Sequence, residues 1–232
     1  LLAALARGGT AILNGDDDRV RRMAKGCRGN VVIFGRTVDC DVVAEEMGAT
    51  WPERLHFTAR SGAERVPVRT QLVGAHWVST SLAVLAAAQA CGVPLAAAAD
   101  GLASVAPFAG RMQPVVLPSG AVVIRDEENG SPDTLDAMLA VLRDAPAKRR
   151  VLVFSDVSDS KANPRKRLRS MGKIAAELVD VAVFVGEHAH HGVRGAVAAG
   201  MDPASCHDVI GLRRAAELLA RELRAGDLVF LK

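Results

Sequence analysis

The sequence predicts an α/β protein of two consecutive units, with a β-hairpin between them and a Rossmann-like second unit that has a mainly parallel sheet. In the second half, runs of consecutive apolar residues such as RVLVF (150–154) and VAVFV (181–185) alternate with amphipathic helical patterns. Continuous apolar strands that alternate with helices are typical of a parallel sheet covered on both faces. The chain has 232 residues, half of them hydrophobic, which is enough for two small domains.

The first half contains both continuous apolar strands and strands in which apolar and polar residues alternate. Short apolar strands are predicted at 10–13, 30–34 and 42–46. Residues 54–60 and 65–72 alternate apolar and polar side chains around Ser61-Gly62-Ala63, which predicts a half-exposed hairpin. Further helices are predicted at residues 1–7, from about Asp18 to Gly26, at 78–91 and at 95–102.

The middle of the chain predicts a second hairpin, and the remainder predicts regular alternation. Residues 114–117 and 121–124 are rich in β-branched side chains and flank the tight-turn tripeptide Pro118-Ser119-Gly120. The elements predicted beyond this hairpin are helices at 132–143, 165–178, 190–199 and 212–223, and strands at 150–154, 181–185, 207–210 and 227–231.

Composition excludes several function classes. The formal net charge is only +3 and aromatic residues make up 3%, whereas nucleic-acid binding usually requires a denser basic stripe with interleaved aromatics. The alanine-rich stretch 82–99 is interrupted by Gln89, Gly92 and Pro94, so no membrane span is predicted. The four cysteines are scattered without a CxxC pair, which predicts reduced thiols and a cytoplasmic protein.

Two polar segments follow predicted strands, where α/β proteins place ligand-binding groups. Asn14 and its acidic neighbours at 16–17 could contact a nucleotide, although a helix N-cap cluster is the simpler interpretation. Asp126 and Asn129 follow the central hairpin, with Arg111 close in sequence. A carboxylate can bond a ribose hydroxyl, an amide can bond a base, and a guanidinium can bind phosphate. The alternative for this second segment is a polar turn with an ion pair.

Histidines and a basic run supply further candidates. His76 begins a helix and could face a ligand, or it could serve as a cap or buried hydrogen-bonding group. His188, His190 and His191 do not form a closed ligand set, so no metal site is predicted. Residues 165–169 (RKRLR) begin a helix; a solvated helix end is the favoured interpretation, and a patch for phosphate or an acidic substrate is the alternative.

Taken in order, four of these segments resemble motifs of the Mur ligase family. Residues 10–17 (TAILNGDD) resemble its Leu-Asn-x-Asp-Asp strand end, and Gly74-Ala75-His76 its Gly-x-His-Asn helix start. Gly110-Arg111-Met112 resembles the Gly-Arg-Met/Phe that opens the family's C-terminal domain. Residues 123–132 (VIRDEENGSP) resemble its Ile-Asp-Asp-Ser-Tyr-Asn-Ala-Asn-Pro segment.

The resemblance implies an enzyme that forms an amide bond through an acyl phosphate made from ATP with Mg²⁺. The incoming nucleophile would be the amine of an amino acid or dipeptide, and the product a cell-wall precursor. The resemblance places Asn14 and His76 near adenine, Arg111 near the phosphates, Asp126 on the ribose and Asn129 near the nucleotide. It identifies no catalytic or substrate-binding residue.

The resemblance also implies a domain assignment. Residues 1–109 would be the C-terminal remnant of a central P-loop-type ATPase domain, with its hairpin and helices, and residues 110–232 the Rossmann-like C-terminal domain. The sequence contains no GxxxxGK[ST] motif and begins without Met. We therefore expect a piece of a longer protein, inactive alone, whose partners include the N-terminal domains of its parent chain.

Two other functions stay open at this level. Trp77 stands where the family has Asn, and Glu127-Glu128 replaces Ser-Tyr. These departures modestly favour a divergent ligase for another substrate, of the capsule or poly-amino-acid type. The third hypothesis is a non-catalytic Mur-like module that binds a partner or regulates.

Overall fold

The structure is a computed structural model that describes residues 2–128, 132–155 and 163–232. The chain divides into two compact units, Leu1–Ala106 and Pro107–Lys232. Each unit has its own sheet and its own core, so each is described by itself.

Unit 1 is built on a five-stranded mixed sheet. The first three strands run parallel, and the last two form an antiparallel hairpin attached to the third. Parallel pairing brings the polar residues after β1 to the same sheet edge as the end of β2. In sheet order, the strands are β1 (Thr10–Asn14), β2 (Asn30–Gly35), β3 (Val42–Gly48), β4 (His56–Ser61) and β5 (Glu64–Arg69).

Three α-helices accompany this sheet: α1 (Asp18–Arg22), α2 (Trp77–Ala90) and α3 (Leu95–Ala103). Fully buried leucines of α2 and α3 pack with strand residues such as Phe57 in one hydrophobic core. This burial of apolar surface is the main stabilising contribution to the unit. Helix α2 contacts β1, β2 and β3.

The predicted N-terminal helix at residues 1–7 is wrong. The structure has a single 3₁₀ turn there, Leu2–Ala4, without a buried residue. A helix this short cannot offset its nucleation cost unless it packs against the core. The helix predicted from Asp18 to Gly26 is also interrupted, because α1 ends at Arg22 and continues as the 3₁₀ turn Met23–Gly26.

Unit 2 contains a six-stranded sheet that is parallel except at one edge. The strands are β6 (Gln113–Val116), β7 (Val122–Arg125), β8 (Arg149–Ser155), β9 (Val181–Val185), β10 (Cys206–Val209) and β11 (Asp227–Leu231). Their spatial order is β10-β9-β8-β11-β7-β6, and only β6 is antiparallel to its neighbour. Strand β11 therefore lies between β7 and β8.

Four helices follow strands of this sheet: α4 (Pro132–Asp144), α5 (Pro164–Leu178), α6 (His190–Ala198) and α7 (Leu212–Glu222). Ala215 of α7 packs with a cluster of valines on one sheet face. Helix α6 lies on the other face, because a Cβ on Gly192 would come within 2.4 Å of the Phe184 ring. Both faces are covered, as expected for a parallel sheet.

The fold-class prediction is confirmed: unit 2 is a mixed α/β unit with a mainly parallel sheet. Most of the predicted strands and helices occur within a few residues of their predicted bounds. No helix within the described ranges is long and apolar enough to cross a membrane.

Candidate functional site

In unit 2, the Gly110-Arg111-Met112 turn folds against the segment that follows β7. The Met112 N–H donates to Asp126 Oδ1 at 3.1 Å, and the Glu128 N–H donates to the Gly110 carbonyl at 3.0 Å. Gly110 has φ +66°, and a Cβ there would come 3.1 Å from the Cβ of Glu128. Glycine is therefore favoured by both the backbone conformation and the close approach. Two motifs that are separate in sequence form one contact.

A buried ion pair lies behind this contact. Lys232 Nζ is 2.5 Å from Asp126 Oδ2 and 3.1 Å from Thr134 Oγ1, and the lysine side chain is only 2% exposed. The backbone of Lys232 is held by β8, since its N–H donates to Val153 and its carbonyl accepts from Ser155. The pair thus joins the ends of β7, β8 and β11 with the first turn of α4.

Burial raises the pKa of Asp126, and the hydrogen bond and charge of Lys232 oppose that shift. The backbone N–H of Met112 also favours the ionised carboxylate. Because both carboxylate oxygens have donors on the protein, Asp126 fixes the start of the polar segment. Any ligand hydroxyl would have to share the carboxylate with Lys232.

The other two residues predicted to bind the nucleotide here are Arg111 and Asn129. Arg111 is exposed, and its backbone N–H donates to the Phe108 carbonyl. Arg111 directly precedes Met112, whose N–H contacts Asp126, and its side chain is open to solvent. Arg125 pairs with Glu127 through its Nε at 2.8 Å. Asn129 lies outside the described residues.

In unit 1, the polar residues after β1 bond to one another and to the end of β2. Asn14 Oδ1 accepts from the Asp16 N–H at 3.0 Å. Asp16 accepts from the N–H and Nε of Arg36 at 2.9 and 3.0 Å. Asp17 caps α1 by accepting from the Arg19 N–H at 2.8 Å. These contacts match the N-cap interpretation, and a nucleotide role for Asn14 stays a prediction.

His76 is the N-cap residue of α2, and its side chain is exposed. Its ring centroid is 5.5 Å from that of Trp77, which is half-buried against the core of unit 1. The Trp77 ring therefore occupies the position beside His76 where the resembled motif has an amide. The role of His76 near a base also stays a prediction.

The three histidines near α6 lie close together. Ring centroids are 4.1 Å apart for His190 and His191, and 6.3 Å apart for His188 and His191. Burial, followed by the nearby cationic side chains, lowers the pKa of His191. Within the described ranges, no group of three or more His, Cys, Asp or Glu side chains is placed to hold a metal ion.

Sequence reasoning missed the partners of Asp126. Lys232 directly follows the apolar strand β11, and Thr134 lies in the first turn of the helix after the polar segment. The charged residue directly after a buried strand is a sequence signal that could have identified Lys232 as a candidate. The strand order that brings Lys232 to Asp126 was not available from the sequence.

Comparison with known proteins identifies the family. The family model described as Mur ligase, glutamate ligase domain, matches residues 110–232. The UDP-N-acetylmuramoyl-tripeptide–D-alanyl-D-alanine ligase of Mycobacterium bovis is 29% identical over 99% of this chain and 49% of its own length. The UDP-N-acetylmuramoyl-L-alanyl-D-glutamate–2,6-diaminopimelate ligase of Chromobacterium violaceum is 34% identical over 95% and 45%.

A solved structure of MurF from Acinetobacter baumannii superposes with a TM-score of 0.81 at 22% identity, covering 97% of this chain and 49% of that one. At this identity the likeness concerns the fold. The chain spans about half the length of the curated relatives it matches. The family model covers more than half of the sequence, and the chain belongs to the Mur ligase family.

Proposed function

We propose that this chain is the C-terminal portion of an ATP-dependent amide ligase that adds an amino acid or dipeptide to a carboxylate of a cell-wall precursor. The observation that carries the proposal is the contact between the Gly110–Met112 turn and Asp126. It joins the two motifs of the C-terminal domain at the carboxyl end of a sheet, where α/β proteins bind ligands. We also propose the domain limits 1–109 and 110–232 and a cytoplasmic location, which four free cysteines support.

The proposed nucleotide residues divide into two kinds. Arg111 and His76 are exposed, so solvent reaches both side chains, and we propose contacts to phosphate oxygens and to a base, respectively. Asn14 and Asp126 already accept hydrogen bonds from the protein. We therefore expect Asp126 to act through the position of the segment that it anchors, together with any ribose bond that it shares with Lys232.

The cofactors that we propose for the parent protein are ATP and Mg²⁺, and the MurF ligase structure from Thermotoga maritima is a complex with ADP. When bound, ATP would supply the phosphoryl group that activates the acceptor carboxylate. Among the proposed nucleotide residues, Arg111 has the chemistry to bind phosphate oxygens two at a time. Because the sequence lacks a GxxxxGK[ST] motif, we propose that the groups for the β- and γ-phosphates belong to other parts of the parent protein.

The experiment is a phosphate-release assay on the full-length parent with ATP and Mg²⁺. The acceptor is UDP-N-acetylmuramoyl tripeptide, and the amines tested separately are D-alanyl-D-alanine, 2,6-diaminopimelate and single amino acids. Release that needs both the acceptor and one amine would support a ligase and identify the amine. ATP binding without release would favour a ligase for another acceptor. Absence of both phosphate release and ATP binding would favour the non-catalytic module.

A second experiment tests the phosphate role of Arg111. In the full-length parent, we expect Arg111→Ala to weaken ADP binding about tenfold, the order for one charge-assisted hydrogen bond. The matched control is Arg213→Ala, since Arg213 is also an exposed arginine of unit 2 but lies on α7. Equal ADP affinity of both variants, measured calorimetrically, would remove Arg111 from the proposed site.

A further inference from the structure

Helices α5 and α6 border a small cavity with an unusual lining. Its volume is about 290 Å³. Every described residue that lines it is basic or can become cationic; we call this cavity the basic cleft. The lining residues are Arg165, Lys166, Arg169, His191 and Arg194.

The close packing of the two helices creates the cleft. A Cβ on Gly172 would lie 2.1 Å from the Gly192 carbonyl oxygen, and one on Gly195 would lie 2.2 Å from the Arg169 carbonyl oxygen. The backbones can therefore approach only because these positions are glycines. Side chains three or four residues apart project from one face of a helix. Basic side chains from the N-terminal halves of both helices consequently line the same cavity.

The positive charge of the cleft is not neutralised within the described part of the chain. No described acidic residue lines it, and none of its arginines or its lysine forms an ion pair with another described residue. Elsewhere, buried or half-buried arginines such as Arg149 and Arg60 do pair with carboxylates. The pKa of His191 is lowered first by burial and then by the nearby His190, Arg165 and Arg194, all of which disfavour its protonated form.

We propose that the basic cleft binds a small ligand with clustered negative charges, of the phosphate or pyrophosphate class. Three guanidinium groups around one cavity can each donate two parallel hydrogen bonds to a tetrahedral oxyanion. The volume of about 290 Å³ lies just below the roughly 300–1,000 Å³ of pockets for drug-sized ligands. This favours one compact anionic group over a whole nucleotide.

This site is separate from the proposed nucleotide residues. Arg111 and Asp126 lie before β6 and after β7, at the end of the sheet order away from β9. The cleft belongs to the helices that follow β8 and β9. The inference therefore does not depend on the proposed ligase activity.

The test uses the 232-residue chain and inorganic pyrophosphate, with affinity measured by calorimetry at low ionic strength. We expect Arg165→Gln/Arg194→Gln to weaken binding at least about tenfold, the order for losing charge-assisted hydrogen bonds. The control is Arg213→Gln, which removes a 91% exposed arginine on α7. We expect it to change the affinity less than about twofold. Equal losses in the two proteins would overturn the proposal, because they would show unspecific attraction by net charge.

A second readout needs no substitution. If pyrophosphate enters the cleft, its charge stabilises the imidazolium of His191, so the pKa of His191 in an NMR titration must rise. His207, on β10 and outside the cleft lining, serves as the internal reference. An unchanged His191 pKa at saturating pyrophosphate would overturn the proposal. Acetate that binds as tightly as pyrophosphate would also overturn it, since a single carboxylate does not use the clustered charges.

Discussion

Replacement of Lys232 by Met is the perturbation with the clearest expected magnitude. The lysine is 2% exposed, and its ammonium is 2.5 Å from a carboxylate of Asp126 that is itself 12% exposed. Met preserves most of the side-chain volume but removes the charge. Asp126 would then keep the Met112 N–H as its donor and lose its counter-charge.

Removal of one partner from a buried ion pair typically costs about 3–5 kcal/mol. A domain is usually stable by about 5–15 kcal/mol, so we expect Lys232→Met to lower the free energy of unfolding of unit 2 by a large fraction. Urea unfolding at pH 7, followed by far-UV circular dichroism, measures this loss. Both tryptophans, Trp51 and Trp77, belong to unit 1. Their fluorescence therefore reports unit 1 separately and serves as an internal control.

The matched control is the double variant Asp126→Asn/Lys232→Met. It removes both charges, and the amide oxygen of the introduced asparagine can still accept the Met112 N–H. Because replacement of a buried pair by neutral groups is often close to neutral, we expect the double variant to recover at least half of the lost stability. A Lys232→Met protein within about 1 kcal/mol of wild type would refute the reasoning. So would a double variant that is less stable than the single one.

Three further outcomes are expected. Burial raises the pKa of Asp227, but hydrogen bonds from Arg149 and the Arg224 N–H outweigh it, so the pKa is lowered; unit 2 should lose stability as pH falls from about 4 through the lower folded pKa. Asp227→Asn should remove that part of the acid dependence, measured by urea unfolding between about pH 2 and 6. A slope of unfolding free energy against pH equal to that of the wild type would contradict this expectation. Gly192→Ala should lower the free energy of unfolding by about 1–3 kcal/mol, because its Cβ meets a buried aromatic ring of β9 at 2.4 Å. In contrast, Gly101→Ala in α3 meets nothing within 4 Å and should raise stability by about 0.5–1 kcal/mol.

Strand and helix positions in this chain were predictable because local patterns determine them. The run VAVFV became β9 with all five residues buried, and the Pro118–Gly120 tripeptide became the turn between β6 and β7. The helix prediction for residues 1–7 was wrong because helical propensity without burial is insufficient to stabilise so short a helix. The order of strands could not be predicted, since the placement of β11 depends on pairing across more than a hundred residues.

The same distinction applies to the candidate sites. Asp126 and Arg111 were predicted from sequence because their types and places suit a ligand-binding strand end, and their role stays a prediction. Lys232 was not, because only the sheet order brings it to Asp126. The basic run at 165–169 was recognised as a possible anion patch. Its completion by His191 and Arg194 required the packing of α5 on α6.

The position of β11 has a consequence for synthesis on the ribosome. Strands β7 and β8 are not neighbours; each pairs with β11, whose residues 227–231 are translated last among the described strands. Until these residues leave the exit tunnel, β7 and β8 each present an unpaired edge with open backbone donors and acceptors. Such edges are targets for intermolecular strand pairing and chaperone capture. The nascent C-terminal unit therefore completes its sheet only by inserting this late strand, and Lys232 then closes the ion pair beside it.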